Sequence, residues 1–233
     1  MILKDKTLAI TGANGALGQA VAEQALHHGA STLVLIDVVD AINTDKLKAI
    51  SPNATLLSHN LDLTDKAATQ ALFAQYPSID ALCNIAGGFD MGSTVYEMQS
   101  SSWDAMFAIN VTTMQNAIAA CTPNMIAQNH GNIVNVGALG ALQGQAQMSA
   151  YIASKSVVMR LTESLAEEVK AHNVNVNAVL PNVIDTARNR SDMPDADYRQ
   201  WVAPEDLANV ICALASPIAK AMHGALVPVR GLG

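Results

Sequence analysis

Two hydrophobic rhythms alternate along the chain. Apolar runs of strand length occupy 8–11, 31–37, 54–60, 79–86, 131–138, 174–181 and 224–230. Several are apolar at consecutive positions, so both faces of each strand must be covered, as in a parallel sheet between helices. Between them, residues 15–28, 64–75, 101–128, 149–172 and 204–215 carry apolar positions at helical spacing. Asp62-Leu63-Thr64-Asp65 and Ala203-Pro204-Glu205 have the composition of helix starts, with Pro204 suited to a first turn. Strand and helix alternate from end to end, and no linker, repeat or low-complexity tract interrupts them. The pattern predicts an α/β fold: one Rossmann-type, doubly wound parallel sheet with helices on both faces, spanning 1–233 as a single domain. Residues 185–203 break the rhythm. They are polar with no strand period, and read as a lid or substrate loop holding at most a short helix.

The first predicted strand runs into Thr11-Gly12-Ala13-Asn14-Gly15-Ala16-Leu17-Gly18 and then a helix. Glycines at such a turn let the backbone approach a pyrophosphate, and the helix N-terminus favours its negative charge. Gly12, Asn14, Gly15, Ala16, Leu17 and Gly18 are therefore candidate cofactor-binding residues. The second strand ends in Ile36-Asp37 about twenty residues on, the place of a carboxylate that takes ribose hydroxyls. Asp37 would repel the 2′-phosphate of NADP, and Val38 and Val39 follow it where an arginine would be needed. The expected cofactor is NAD(H), with NADP(H) the lesser alternative.

Composition narrows the partners. The chain has 233 residues, is 50% hydrophobic and 14% charged, and carries a formal charge of −7. That balance disfavours nucleic acid and an anionic membrane surface. No uncharged apolar run reaches the roughly 20 residues of a membrane span, and no secretory leader precedes the first strand. Cys83, Cys121 and Cys212 are isolated in sequence and read as buried thiols of a reducing compartment. The expectation is a soluble cytoplasmic protein. The six histidines are scattered without ligand spacing, so no metal is expected.

Tyr151 precedes Lys155 by four residues, which stacks both side chains on one helical face. A phenol beside an ammonium can transfer a proton, since an adjacent cation favours phenolate. A carbonyl reductase built this way also wants a hydroxyl for the substrate oxygen, yet Gly137, Ala138, Leu139, Gly140 and Ala141 offer none.

Taken together, the glycine turn, Asp62, Asn84-Ile85-Ala86-Gly87, Asn110, Tyr151, Lys155 and Pro181, in this order, resemble the short-chain dehydrogenase/reductase family over essentially the whole chain. The resemblance implies hydride transfer with a nicotinamide cofactor. Tyr151 would then be the acid/base, Lys155 would hold the nicotinamide ribose and lower the phenol pKa, and Asn110 would support a proton-relay water. Asp62, with Leu63, and Asn84, Ala86 and Gly87 would line the adenine and ribose side; Pro181, Val183 and Thr186 would lie towards the nicotinamide. The family's serine falls at Ala138 and is absent. The two long helices, 101–128 and 149–172, form the family's subunit contact, which implies a homo-oligomer, dimer or tetramer.

Within that family the chain resembles the dihydropteridine reductase-like branch. The turn has glycines at Gly12, Gly15 and Gly18 where typical members have them at the places of Gly12, Ala16 and Gly18, Ala138 stands in the serine place, and Phe89 follows Ala86-Gly87-Gly88. Asp185-Thr186, Asn189-Arg190, Met193-Pro194, Ala196-Asp197 and Trp201 match in the late loop. A quinonoid dihydropterin develops no ordinary oxyanion, so a serine donor is less needed there. Three readings stay open: reduction of a quinonoid or imine substrate, oxidoreduction of another small carbonyl or alcohol, and an impaired NAD-binding sensor or scaffold. Gln143, Gln145 and Gln147 are candidates to replace the missing hydroxyl, against ordinary loop polarity. Arg188 and Arg190 either grip a ligand or pair with neighbouring carboxylates.

Overall fold

The computed structural model describes residues 1–233. Seven strands form one wholly parallel sheet in the order β3-β2-β1-β4-β5-β6-β7. They are β1 (Thr7–Thr11), β2 (Thr32–Asp37), β3 (Thr55–Asn60), β4 (Ala81–Asn84), β5 (Gly131–Val136), β6 (Val174–Pro181) and β7 (Leu226–Val229). The helices are α1 (Ala16–His27), α2 (Asp45–Ile50), α3 (Lys66–Phe73), α4 (Ser100–Phe107), α5 (Thr113–Gln128), α6 (Ser149–Val169), α7 (Ala187–Asp192) and α8 (Pro204–Leu214).

Strand alternation sorts the core into two layers. Leu8, Ile10, Leu33, Leu35, Ala81 and Cys83 point to one face, where α1 and α8 cover them. The residues between them, Ala9, Val34, Ile36 and Leu82, point to the other, against Phe73 of α3, Met125 of α5 and Val169 of α6. Full burial of both faces explains the continuous apolar runs: each Leu, Ile or Val so placed contributes about 1.5–3 kcal/mol of transfer free energy. Pro204 occupies the first turn of α8, where its missing N–H costs nothing. Asp65 caps α3 by accepting the Ala68 N–H at 2.9 Å.

The helix expected over 101–128 is present, unbroken from Ser100 to Gln128, with an unexpected departure from α geometry. A π-helical turn, Ala108–Thr112, lies within it between α4 and α5. A single apolar period runs through the segment, so nothing in the hydrophobic pattern marks the extra residue. Helix α2 is a further addition, too short to carry its own period. The segment expected to be a lid holds α7 and a short 3₁₀ turn, Tyr198–Gln200, closed at its base by a bridge between Ile184 and Val202. No helix is long and apolar enough to cross a membrane.

Candidate active site

Strand order reverses between β1 and β4, and the crevice beyond the strand ends at such a switch point is where α/β sheets take ligands. Thr11 ties the two strand ends together: its Oγ1 accepts the N–H groups of Ile85 at 3.0 Å and Ala86 at 3.1 Å. Gly12 has φ +64°, and a Cβ there would lie 2.8 Å from the Ala86 backbone. At Gly18 a Cβ would lie 2.1 Å from the Gly12 carbonyl, so the first turn of α1 can sit under the loop only without a side chain. Gly15 caps α1 without a side chain, leaving the first amides of the helix to the crevice. Asn14, Gly15 and Ala16 are exposed, whereas Leu17 is buried in the core.

Asp37 closes one side of this turn. Its carboxylate accepts the Asn14 N–H and the Val38 N–H, each at 2.8 Å, and remains partly open to solvent. Asp62 accepts the Thr64 N–H at 2.8 Å and the Thr64 hydroxyl at 2.7 Å, and these bonds hold its carboxyl below the usual carboxylate range. Leu63 turns its side chain into the core, and its carbonyl accepts Asn116 Nδ2 at 2.8 Å. Asn84 likewise turns inward, donating to Asn135 at 2.9 Å, which donates to Thr162 at 2.9 Å. The open turn, the uncapped helix start and the flanking carboxylate fit a dinucleotide.

At the far end of the crevice, Tyr151 and Lys155 share one face of α6 in its first two turns. Lys155 is buried, and its Nζ donates to the Val136 carbonyl at 2.8 Å. A Cβ on Gly87 would meet Lys155 Nζ at 3.2 Å and Asn110 Oδ1 at 2.8 Å, so these three residues converge. Asn110 sits in the π turn. Its Nδ2 donates to the Gly88 carbonyl and to Ser154 Oγ, each at 3.1 Å, and Ser154 donates on to the Tyr151 carbonyl at 2.7 Å. Pro181 ends β6, and Val183 and Thr186 follow it, half-buried, with Thr186 capping α7.

Electrostatics correct one expectation. Burial pushes the Tyr151 phenol up to about 12, not down towards neutrality, and brings the Lys155 ammonium down to about 8. The lysine points its N–H at a neutral carbonyl with no carboxylate beside it. Desolvation therefore decides both values in the free protein.

Ala138 is buried and extended, in an apolar cluster with Ala141, Ile152, Met159 and Leu180 against which Tyr151 packs. No hydroxyl replaces it from the neighbouring serines: Ser154 bonds as above and Ser156 donates to the Ala141 carbonyl. The three glutamines part company. Gln143 and Gln145 line a cleft beside Leu139, while Gln147, at φ +61°, accepts the Gly92 N–H on the other side of the helix start. Phe89 meets Tyr151 edge to face at 4.9 Å between centroids. In the loop, Arg190 forms a bidentate pair with Asp185 and lies over the Tyr198 ring, and Arg188 lies 3.7 Å from Asp192. The three cysteines are free and buried. No group of three His, Cys, Asp or Glu side chains is placed to hold a metal.

Sequence reasoning missed the Val136 carbonyl and the bridging role of Ser154. A carbonyl carries no sequence signal. Ser154 lies three residues from Tyr151, and only the π turn brings Asn110 to it.

Comparison with known proteins gives the same picture. The family model described as short chain dehydrogenase matches residues 6–197. The chain is 32% identical to a protein named short chain dehydrogenase adrF from Penicillium rubens, with 98% of this chain and 96% of that one aligned. It is 30% identical to a 3alpha-hydroxysteroid dehydrogenase from Mediterraneibacter gnavus, over 99% and 98% of the two chains. A solved short chain dehydrogenase/reductase family protein superposes with a TM-score of 0.89 at 29% identity, covering 99% of this chain and 98% of its own.

Proposed function

The chain belongs to the short-chain dehydrogenase family, and from that premise we propose how its own residues divide the work. It is an NAD(P)(H)-dependent oxidoreductase of small carbonyl or alcohol substrates. The nicotinamide, when bound, supplies or accepts the hydride. Tyr151 moves the proton at the substrate oxygen through its phenolic O–H. Lys155 offers N–H donors to the nicotinamide ribose, and Asn110 keeps the loop at Gly88 and the start of α6 in register. Gly12, Asn14, Gly15, Ala16, Leu17 and Gly18 hold the pyrophosphate end, Asp37, Asp62, Leu63, Asn84, Ala86 and Gly87 the adenosine side, and Pro181, Val183 and Thr186 the nicotinamide. The observation that carries this reading is that Asn110 Oδ1 and Lys155 Nζ both lie against the Cβ position of Gly87, with Lys155 one helical turn from Tyr151 on α6.

NAD(H) is the preferred cofactor, because the Asp37 carboxylate would face an added phosphate and exposed Val38 offers it no cation. The unit is a single domain whose 185–203 segment covers the substrate. A homo-oligomer is favoured by the exposed Trp103, stacked on Phe107, and by exposed Ile109, near one another on α4 and the π turn. Three buried free cysteines favour the cytoplasm.

A second reading keeps the same residues and changes the substrate. Ala138 gives no hydroxyl beside Tyr151, and Phe89 sets an aromatic edge against it, as a flat quinonoid or imine substrate of the dihydropteridine reductase-like branch would need. The deciding experiment is NADH oxidation by the purified protein with a panel of small ketones and with quinonoid dihydropterin, beside Tyr151→Phe. Turnover that falls by orders of magnitude in the variant supports the assignment, and the better substrate class selects between readings. NADH binding with no Tyr151-dependent turnover would mean a sensor.

A further inference from the structure

Four arginines face carboxylates: Arg160 pairs with Glu163, Arg188 with Asp192, Arg190 with Asp185 and Arg199 with Asp197. Arg230 has no such partner. It follows the end of β7 and lines an open cleft of about 370 Å³ together with Leu139, Leu142, Gln143, Gln145 and Asn182. Two of these neighbours join the cleft to the reaction centre. Leu139 follows Ala138 and packs on the same apolar cluster as Tyr151. Asn182 follows Pro181, and its N–H donates to the Val229 carbonyl at 2.9 Å, which sets it beside Arg230.

The chemistry of this lining is one-sided. It holds one guanidinium, three carboxamides that can donate N–H, two leucines and no acidic group. Arg230 is thus the one arginine, in a protein with a formal charge of −7, that no carboxylate faces. A guanidinium presents a planar fork of donors matched to a carboxylate, and uncharged donors around it add bonds without competing for the charge. No second Lys or Arg lines the cleft, so a single negative charge fits better than a dianionic phosphate.

We infer that the substrate is an oxo acid, or the corresponding hydroxy acid, whose carboxylate is bound by Arg230 with help from Gln143, Gln145 and Asn182. Leu139 and Leu142 flank the short hydrocarbon between carboxylate and reacting carbon. This rests on the carbonyl reading above and names its substrate class. In the reduction, the carbonyl carbon gains the hydride of NADH, the carbonyl oxygen gains a proton, and the C=O double bond becomes single. NADH is oxidised and the carboxylate is unchanged. The charge pair is the same in ground and transition states, so its contribution falls on KM.

The test compares aliphatic oxo acids of four to eight carbons with their primary amides, in wild type and Arg230→Gln, alongside binding of hexanoate and hexanamide by ligand-observed NMR. The ratio of kcat/KM for acid over amide is internal to each protein, so a general loss of folded enzyme cancels. At the best chain length this ratio falls at least tenfold in Arg230→Gln, through KM, and Arg230→Lys restores part of it. Turnover of both compounds with the same ratio in wild type and Arg230→Gln overturns the inference and leaves the oxidoreductase reading standing. If no compound is turned over, the catalytic reading fails on this panel, and binding decides the subsite. Hexanoate bound in preference to hexanamide, with the preference lost in Arg230→Gln, upholds it; no preference overturns it.

Discussion

Gly88 and Asn110 exchange two hydrogen bonds. The Gly88 N–H donates to Asn110 Oδ1 at 2.9 Å, and Asn110 Nδ2 donates back to the Gly88 carbonyl at 3.1 Å. One side-chain amide thereby does for the loop after β4 what a neighbouring strand would do. The same Nδ2 reaches Ser154, so the loop, the π turn and α6 are held together by a single carboxamide that is only 2% exposed.

Asn110→Leu keeps the size of the side chain and removes every one of these bonds. The Gly88 N–H and carbonyl are then left without partners in a partly buried place. The expected loss is on the order of 2–4 kcal/mol of unfolding free energy, together with most of the activity. Urea denaturation followed by circular dichroism reads the first. An unchanged midpoint would show that the bonds are not structural.

Much of this arrangement was legible in the sequence. Unbroken apolar runs require a sheet covered on both faces, and Leu8, Ala9 and Ile10 do divide between the two layers. The glycine turn and Asp37 lie together because a strand, a tight turn and a helix leave them little choice. What was not legible depends on tertiary contact. Nothing in residues 101–128 announces the π turn that aims Asn110 at Gly88. Nothing near Lys155 tells that its charge will be buried against a carbonyl, and nothing near Tyr151 tells that its own burial will push the phenol up. The cleft around Arg230 brings together residues from 139–145, from 182 and from 230, and the β5–β6 and β6–β7 pairings make them neighbours.

Lys155 gives a pH signature. Its ammonium has a pKa of about 8 in the folded protein, against an ordinary value of 10.5. Below pH 8 both folded and unfolded states are charged, and the fold bears the full desolvation cost, roughly 3 kcal/mol. Between pH 8 and 10.5 the unfolded chain holds a proton that the folded protein has released, so stability rises with pH across that window. Lys155→Met removes both cost and slope. Measured by urea denaturation, the variant leads wild type at pH 7, and the gap narrows by pH 10. A constant gap would mean that the ammonium is solvated.

Asp37 and Val38 set the cofactor. Asp37→Ser with Val38→Arg removes the repelling carboxylate and places a cation where the 2′-phosphate would lie. The expected change is a shift of about a hundredfold or more in kcat/KM ratio towards NADPH. Asp37→Ser alone also releases the Asn14 N–H, which loosens the turn and weakens NADH binding. Steady-state kinetics with both cofactors check this, and an unaltered ratio would remove Asp37 from the specificity assignment.

Gly18→Ala tests the packing of the turn itself. The new methyl would lie 2.1 Å from the Gly12 carbonyl and 2.8 Å from Ala13 Cα, both backbone atoms that cannot step aside. The first turn of α1 must shift, carrying its free amides with it. Loss of NADH binding by fluorescence titration is expected, with a fall in stability of about 1–3 kcal/mol. Retained affinity would mean that the turn is more plastic than its contacts imply.

Ala138→Ser distinguishes the substrate classes most directly. The site is 5% exposed with φ −156° and ψ 138°, a conformation that serine adopts without strain. Its neighbours Ile152, Met159 and Leu180 are apolar, so the added hydroxyl has few local partners. Folding should lose about 1–2 kcal/mol, seen as a lowered denaturation midpoint. A substrate that develops negative charge on oxygen changes this balance, because the hydroxyl then has an acceptor beside Tyr151. One well-placed donor to such an oxygen is worth about 10²–10³ in kcat where it belongs to the original design. In a site not otherwise shaped for it, a gain of about tenfold on simple ketones is expected. A quinonoid substrate forms no such oxyanion and would gain nothing, while the extra polar group would crowd a flat ring. A ketone rate that rises while pterin turnover stays flat or falls assigns the enzyme to carbonyl chemistry carried out without its usual donor. A ketone rate unchanged in Ala138→Ser, beside strong pterin turnover by the wild type, would overturn the carbonyl reading and leave the alanine as a fitted part of an imine-reducing site.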